Sequence, residues 1–142
     1  MLRAALFALI ILGLSGAEAQ AQQVRQMLNG LRAEQGLDPV TPSPRLESAA
    51  MAHALDMLDN GFFGHTGSDG SAVGDRARRA GYGYCLIAEN IAQGQGNLAE
   101  VMGAWANSPG HRANMLREDV KDYGLVRAQG NIWVMVLGRD GC

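Results

Sequence analysis

Apolar residues recur along this chain first at helical and then at strand spacing. Val24, Met27, Leu28 and Leu31 follow the i, i+3, i+4, i+7 rule, which predicts a first helix running to about Gln35 and stopping at Gly36. Asn29-Gly30 has the composition of a hairpin turn, but the flanking period is helical. The three prolines between Asp38 and Pro44 mark a loop, and Ser43 with Pro44 supplies an N-cap and first helical residue for the next element. Leu46, Ala49, Ala50, His53, Ala54, Met57 and Leu58 form one stripe of that second helix, which ends near Asn60-Gly61. A glycine-rich loop from Gly61 to Gly70 carries His65. A short helix is expected over Val73–Ala80 and a buried strand over Cys85–Ala92. Asn97, with Glu100 three residues on, resembles a capping box opening a helix through Trp105. Ser108-Pro109 opens another, to about Leu116. Tyr123–Ala128 and Ile132–Leu137 alternate around Gln129-Gly130-Asn131 as a hairpin. Helices first, then strands with helices between them, predict an α+β layered fold around a small sheet.

The N-terminus changes that picture. Arg3, an apolar run from Ala4 to Leu14 and small residues beyond it have the order of a secretory signal peptide. Ala17 and Ala19 fit cleavage after Ala19, and Ala19 with Ala21 fit cleavage after Ala21. The run is too short for a spanning helix, which needs about 20 apolar residues. The expectation is therefore a signal peptide over residues 1–21, a single domain over 22–142, and a secreted or periplasmic protein. Losing Arg3 and Glu18 together leaves the net charge at −2, a balance that argues against nucleic acid as a partner. Arg76, Arg78 and Arg79 read as the solvated face of a helix. Cys85 and Cys142 are an even pair in an oxidising compartment, without Cys-x-x-Cys spacing, and are expected to form a structural disulfide.

Local signatures of chemistry are few. Gly94-x-Gly96-x-x-Ala99 imitates a dinucleotide fingerprint, with Glu118 and Asp119 about 20 residues downstream, but the helix after it is interrupted at Pro109 and the chain is too short for a doubly wound sheet. No nucleophile elbow occurs, and neither cysteine lies in a protease-like context. Ser68 and Ser108 could each pair with a histidine, although Ser108 is explained as an N-cap. His53, inside an apolar stripe, reads as a satisfied core residue. His65 and His111 each follow a glycine, where a side chain can face a cleft. Glu89 lies in an otherwise apolar strand, where a carboxylate has to be paired or hydrogen bonded. No His-Glu-x-x-His or comparable metal signature is present.

Taken together, the chain resembles the CAP superfamily (cysteine-rich secretory, antigen 5 and pathogenesis-related 1 proteins, or SCP domains) in its compact bacterial form. The resemblance is carried by Asn29-Gly30-Leu31-Arg32, Phe63-Gly64-His65-Thr66, Ala88-Glu89-Asn90-Ile91, the string from Trp105 to Leu116, Tyr123-Gly124 and Trp133. It implies a three-layer α-β-α sandwich with a small central antiparallel sheet and a cleft holding two histidines and two glutamates. His65, Glu89, Glu100 and His111 fill those four places. His65 and His111 suit a divalent metal such as Zn²⁺, with Glu89 and Glu100 orienting them or acting as bases. The implied function is a binding module for a small ligand, lipid or peptide. The alternatives are a metal-dependent, peptidase-like hydrolase and a lipid- or sterol-binding protein. No catalytic residue is assigned.

Overall fold

The computed structural model describes residues 15–142. The apolar run of the expected signal peptide therefore lies outside the described residues. The chain runs α1 (Gly16–Ala33), β1 (Thr41–Pro42), α2 (Pro44–Asn60), α3 (Val73–Arg79), β2 (Tyr84–Gln93), α4 (Leu98–Ala106), α5 (Pro109–Met115), β3 (Asp122–Ala128) and β4 (Ile132–Asp140). Both expected cleavage positions lie in α1, whose first buried residue is Val24. No described helix is long and apolar enough to cross a membrane.

The four strands lie in the order β1-β3-β4-β2. β4 pairs antiparallel with both β3 and β2, so the hairpin around Gly130 forms as its sequence predicts. One expectation is corrected. The proline-rich stretch is not all loop, since Thr41 and Pro42 pair parallel with Asp122 and Tyr123. The sheet is therefore mixed, and Pro42 is tolerated because an edge strand has ladder groups that need no donor.

The apolar run of β4 alternates between two cores. Ile132, Val134 and Val136 pack with Leu46, Ala50, Ala54 and Met57 of α2. Trp133, Met135 and Leu137 pack with Leu28 of α1 and with Val101 and Trp105 of α4. A strand with both faces covered reads as a continuous hydrophobic run because neither side meets water. That alternation makes the three-layer α-β-α sandwich, with α2 and α3 on one face and α1, α4 and α5 on the other.

Polar side chains tie the layers where backbone ladders cannot. Asn29 on α1 donates to Val40 O at 3.0 Å and accepts from Val40 N at 2.9 Å, imitating a strand partner for the loop. Arg32 is fully buried and donates to Asp38 O, Met115 O and Arg117 O, which fastens α1 to the exit of α5. Cys85 and Cys142 are disulfide-bonded with Cα atoms 5.7 Å apart, joining the start of β2 to the chain end.

Candidate functional site

The site forms at the free edge of β2, where the two helical layers meet. Side chains alternate across a strand. Ala88 and Ala92 join the α1/α4 core and Ile91 the α2/α3 core, so Glu89 faces α2 and α3 while Asn90 faces α4 and α5. An edge strand leaves carbonyls unpaired, and two are taken up here by side chains. Trp105 Nε1 donates to Ile91 O at 3.2 Å and Asn114 Nδ2 to Glu89 O at 3.3 Å. Asn114 also reaches Asn90 Oδ1 at 2.9 Å, and Asn90 Nδ2 donates to His111 O at 3.0 Å. The Glu-Asn and Asn-Met-Leu motifs thus hold α5 against the strand.

Glu89 is buried and its carboxylate is shared. One oxygen lies 2.8 Å from His65 Nδ1 and 3.8 Å from His53 Nε2, and the other accepts from Arg76 Nη2 at 2.9 Å. The pairing that an isolated carboxylate in an apolar strand demands is therefore met. Arg76 corrects an expectation: it does not belong to a solvated face but is buried. Arg78 and Arg79 are exposed as expected. Helix periodicity separates them, because Arg76 lies one position before the buried Ala77 on the inner face of α3.

His53 is fully buried, as its place in the stripe predicts, and donates through Nε2 to Gly64 O at 2.8 Å. Its proton affinity is lowered from the ordinary histidine range, mainly by burial, with Glu89 opposing the shift. His111 is half-buried against Trp105, their ring centres 6.5 Å apart. Its pKa is also lowered, first by burial and then by the positive charge that His65 can carry. The Nδ1 of His111 lies 2.9 Å from Ser108 Oγ. Ser108 occupies the N-cap position by backbone, but its hydroxyl makes no capping bond and serves the histidine instead.

Glu100 makes local hydrogen bonds. It lies in the first turn of α4, exposed, accepting from Gly96 N at 2.8 Å and Asn97 Nδ2 at 2.7 Å while Asn97 Oδ1 caps its own N–H. Trp105, which adjoins His111, is at the other end of that helix. The structure thus brings together His65, Glu89 and His53, ties the His111 backbone to Asn90 beside Glu89, and keeps the hydrogen bonds of Glu100 within its own cap. Among the described residues, no three His, Cys, Asp or Glu side chains converge closely enough to hold a metal ion by themselves. A cavity of about 480 Å³ lies between α1, α2 and the β3–β4 hairpin, and one of about 360 Å³, lined in part by Arg76, lies between α2 and α3. His65, Glu89 and His111 line neither.

Sequence reasoning missed Arg76, and it raised a pairing of Ser108 with a histidine but preferred the N-cap, whereas the hydroxyl meets His111. Arg76 was detectable in principle, since a buried Glu89 requires a cation. No spacing rule says which of three neighbouring arginines supplies it.

The model of the cysteine-rich secretory protein family, CAP, matches residues 25–137. An uncharacterized Bacillus subtilis protein, YkwD, is 34% identical over 120 residues, covering 84% of this chain and 47% of that protein. This chain therefore spans about half the length of that relative. Among solved structures, an extracellular SCP-domain protein from Bacillus anthracis superposes with a TM-score of 0.81 at 26% identity, covering 90% of this chain and 45% of that one. An outer surface protein from Borrelia burgdorferi superposes with a TM-score of 0.79 at 24% identity, covering 89% of this chain and 97% of that one.

Proposed function

This chain belongs to the cysteine-rich secretory protein (CAP) family, and from that premise we propose that it is an exported binding module whose working face is the imidazole pair His65 and His111. The observation that carries this is common to both rings. Each has Nδ1 engaged inside the protein, by Glu89 in one case and Ser108 in the other, which leaves each Nε2 as the outward nitrogen. Neutral imidazoles with one nitrogen anchored are the usual form of a histidine ligand, and the lowered pKa of His111 favours the neutral ring. The donor set suits a divalent cation such as Zn²⁺. Two protein ligands are fewer than a closed structural site needs, so the remaining positions would belong to water or to donor atoms of a bound molecule. Such a site would grip a ligand through the cation, an arrangement that fits a binding module.

The hydrolase alternative needs a carboxylate free to accept a proton. Glu89 is already held by Arg76 and His65, and Glu100 is occupied at the start of α4, so neither carboxylate is poised as a base. Export is supported by the N-terminal apolar run with its Ala-x-Ala ends and by the disulfide, a bond that persists in oxidising compartments. The solved relatives described as extracellular and outer surface proteins agree.

Calorimetric titration with zinc at neutral pH tests the site. Wild-type protein is expected to bind one equivalent, with binding abolished in His65→Ala/His111→Ala. Equal affinity in the double variant would refute the assignment.

A further inference from the structure

His65 has 59% of its side chain exposed and lies in a loop without regular structure, between α2 and α3. Such a residue ordinarily samples several backbone and ring orientations. Here, however, the carbonyls on both sides of it are taken by buried side chains. Gly64 O accepts from His53 Nε2 at 2.8 Å, and His65 O accepts from Arg76 Nη2 at 2.9 Å. The same Nη2 donates to Glu89 Oε2 at 2.9 Å, and Glu89 Oε1 holds the His65 ring at 2.8 Å. One guanidinium nitrogen thus serves both the main chain of His65 and the carboxylate that orients its ring. Arg76 is itself fixed through Nη1 to Ser71 O at 2.8 Å.

We infer that Arg76 and His53 are positioning residues for His65, holding its peptide and, through Glu89, selecting the tautomer that turns the Nε2 lone pair outward. The proton assignments follow from what each partner can do. A carboxylate paired with arginine only accepts, so His65 Nδ1 carries the hydrogen. A carbonyl only accepts, so His53 Nε2 carries its hydrogen and Nδ1 keeps a lone pair. That accounts for the buried His53 Nδ1 having no partner. A lysine at position 76 would supply the charge without the planar fork that reaches two acceptors and Ser71 together.

The inference rests on the proposed cation site for its functional meaning, but its geometry is measurable without a metal. Nitrogen-15 NMR of the whole protein is expected to show His65 as the Nδ1–H tautomer in the wild type and a shift toward Nε2–H in Arg76→Lys. Zinc affinity is expected to fall about 10- to 100-fold in that variant, the usual cost of losing a group that orients a ligand. His53→Gln, whose amide can still donate to Gly64 O, should keep zinc affinity, and His53→Phe should lose it. Circular dichroism reports whether each variant is folded. If Arg76→Lys does not fold, the wild-type tautomer and the His53 pair carry the test. An Nε2–H tautomer in the wild type overturns the inference. So does a folded Arg76→Lys with unchanged tautomer and affinity, or a His53→Phe that binds zinc as the wild type does. A wild type that binds no zinc, but whose His65 tautomer follows Arg76, overturns the cation site and leaves the positioning role standing.

Discussion

Replacing Glu89 by leucine removes the partner of a buried cation and leaves the cation in place. Glu89 and Arg76 side chains are 2% and 5% exposed, so water cannot take over the lost bond. Breaking one half of a buried ion pair costs about 3–5 kcal/mol. Unfolding entropy near 2.1 cal/mol/K per residue gives about 0.25–0.3 kcal/mol/K for a domain of this size. The expected fall in Tm is therefore about 10–20 °C. Arg76→Met should cost a similar amount, since it strands the carboxylate. The double variant removes both charges and is expected to retain much of the lost stability. It still leaves His65 O and Ser71 O without their donor, at roughly 1 kcal/mol each. Urea unfolding of the four proteins at pH 8 gives the coupling energy directly. A coupling of at least about 2 kcal/mol is expected. Single effects that add to the double within about 0.5 kcal/mol would refute a mutually dependent buried pair.

The disulfide closes a span of 57 residues, worth about 4 kcal/mol in the chain-entropy model. Cys142→Ser should lower urea stability by that order, and reductant should do the same to the wild type but nothing further to the variant. At Gly124, an added Cβ would lie 2.8 Å from Glu47 Cα and closer still to Glu47 N and the Leu46 carbonyl carbon. All of these are backbone atoms of α2, so Gly124→Ala should destabilise by about 2–3 kcal/mol or more. Gly103→Ala, in the interior of α4 with nothing within 4 Å, should instead gain about 0.4–1 kcal/mol in the same assay. Burial lowers the proton affinity of His53 in the folded chain below its ordinary value of 6.5, so the unfolded state takes up the extra proton first as pH falls. Stability should thus decline as pH drops through 6.5, and His53→Gln should flatten the slope of urea midpoint against pH between 7.5 and 5.5. An unchanged slope would assign the acid sensitivity elsewhere.

Helix and strand positions were legible because they rest on local rules that survive in the structure. Ser43-Pro44 caps α2, Gly61 ends it in the left-handed region at φ 65°, and the β3–β4 hairpin turns at Gly130-Asn131. The short parallel pairing of Thr41–Pro42 was not legible. It depends on where β3 arrives some 80 residues later, and a two-residue strand has no period to detect. The candidate site divides along the same line. Glu89 was conspicuous because a charge in an apolar strand is a local contradiction, and His65 and His111 because glycine precedes each. What binds to them was not visible. Arg76 comes from a third element 13 residues away, and its identity depends on the rotation of α3 about its own axis. Ser108 could be an N-cap or a histidine partner, and at that position it takes the cap's backbone geometry while giving its hydroxyl to His111. Glu100 differs in that its hydrogen bonds are all local. Motif matching grouped it with the histidines, whereas capping chemistry alone accounts for every contact it makes. A long-range hydrogen bond is what separates Glu89 from Glu100 in this structure. Glu89 has such contacts, reaching His65 on the loop before α3 and Arg76 on α3 itself.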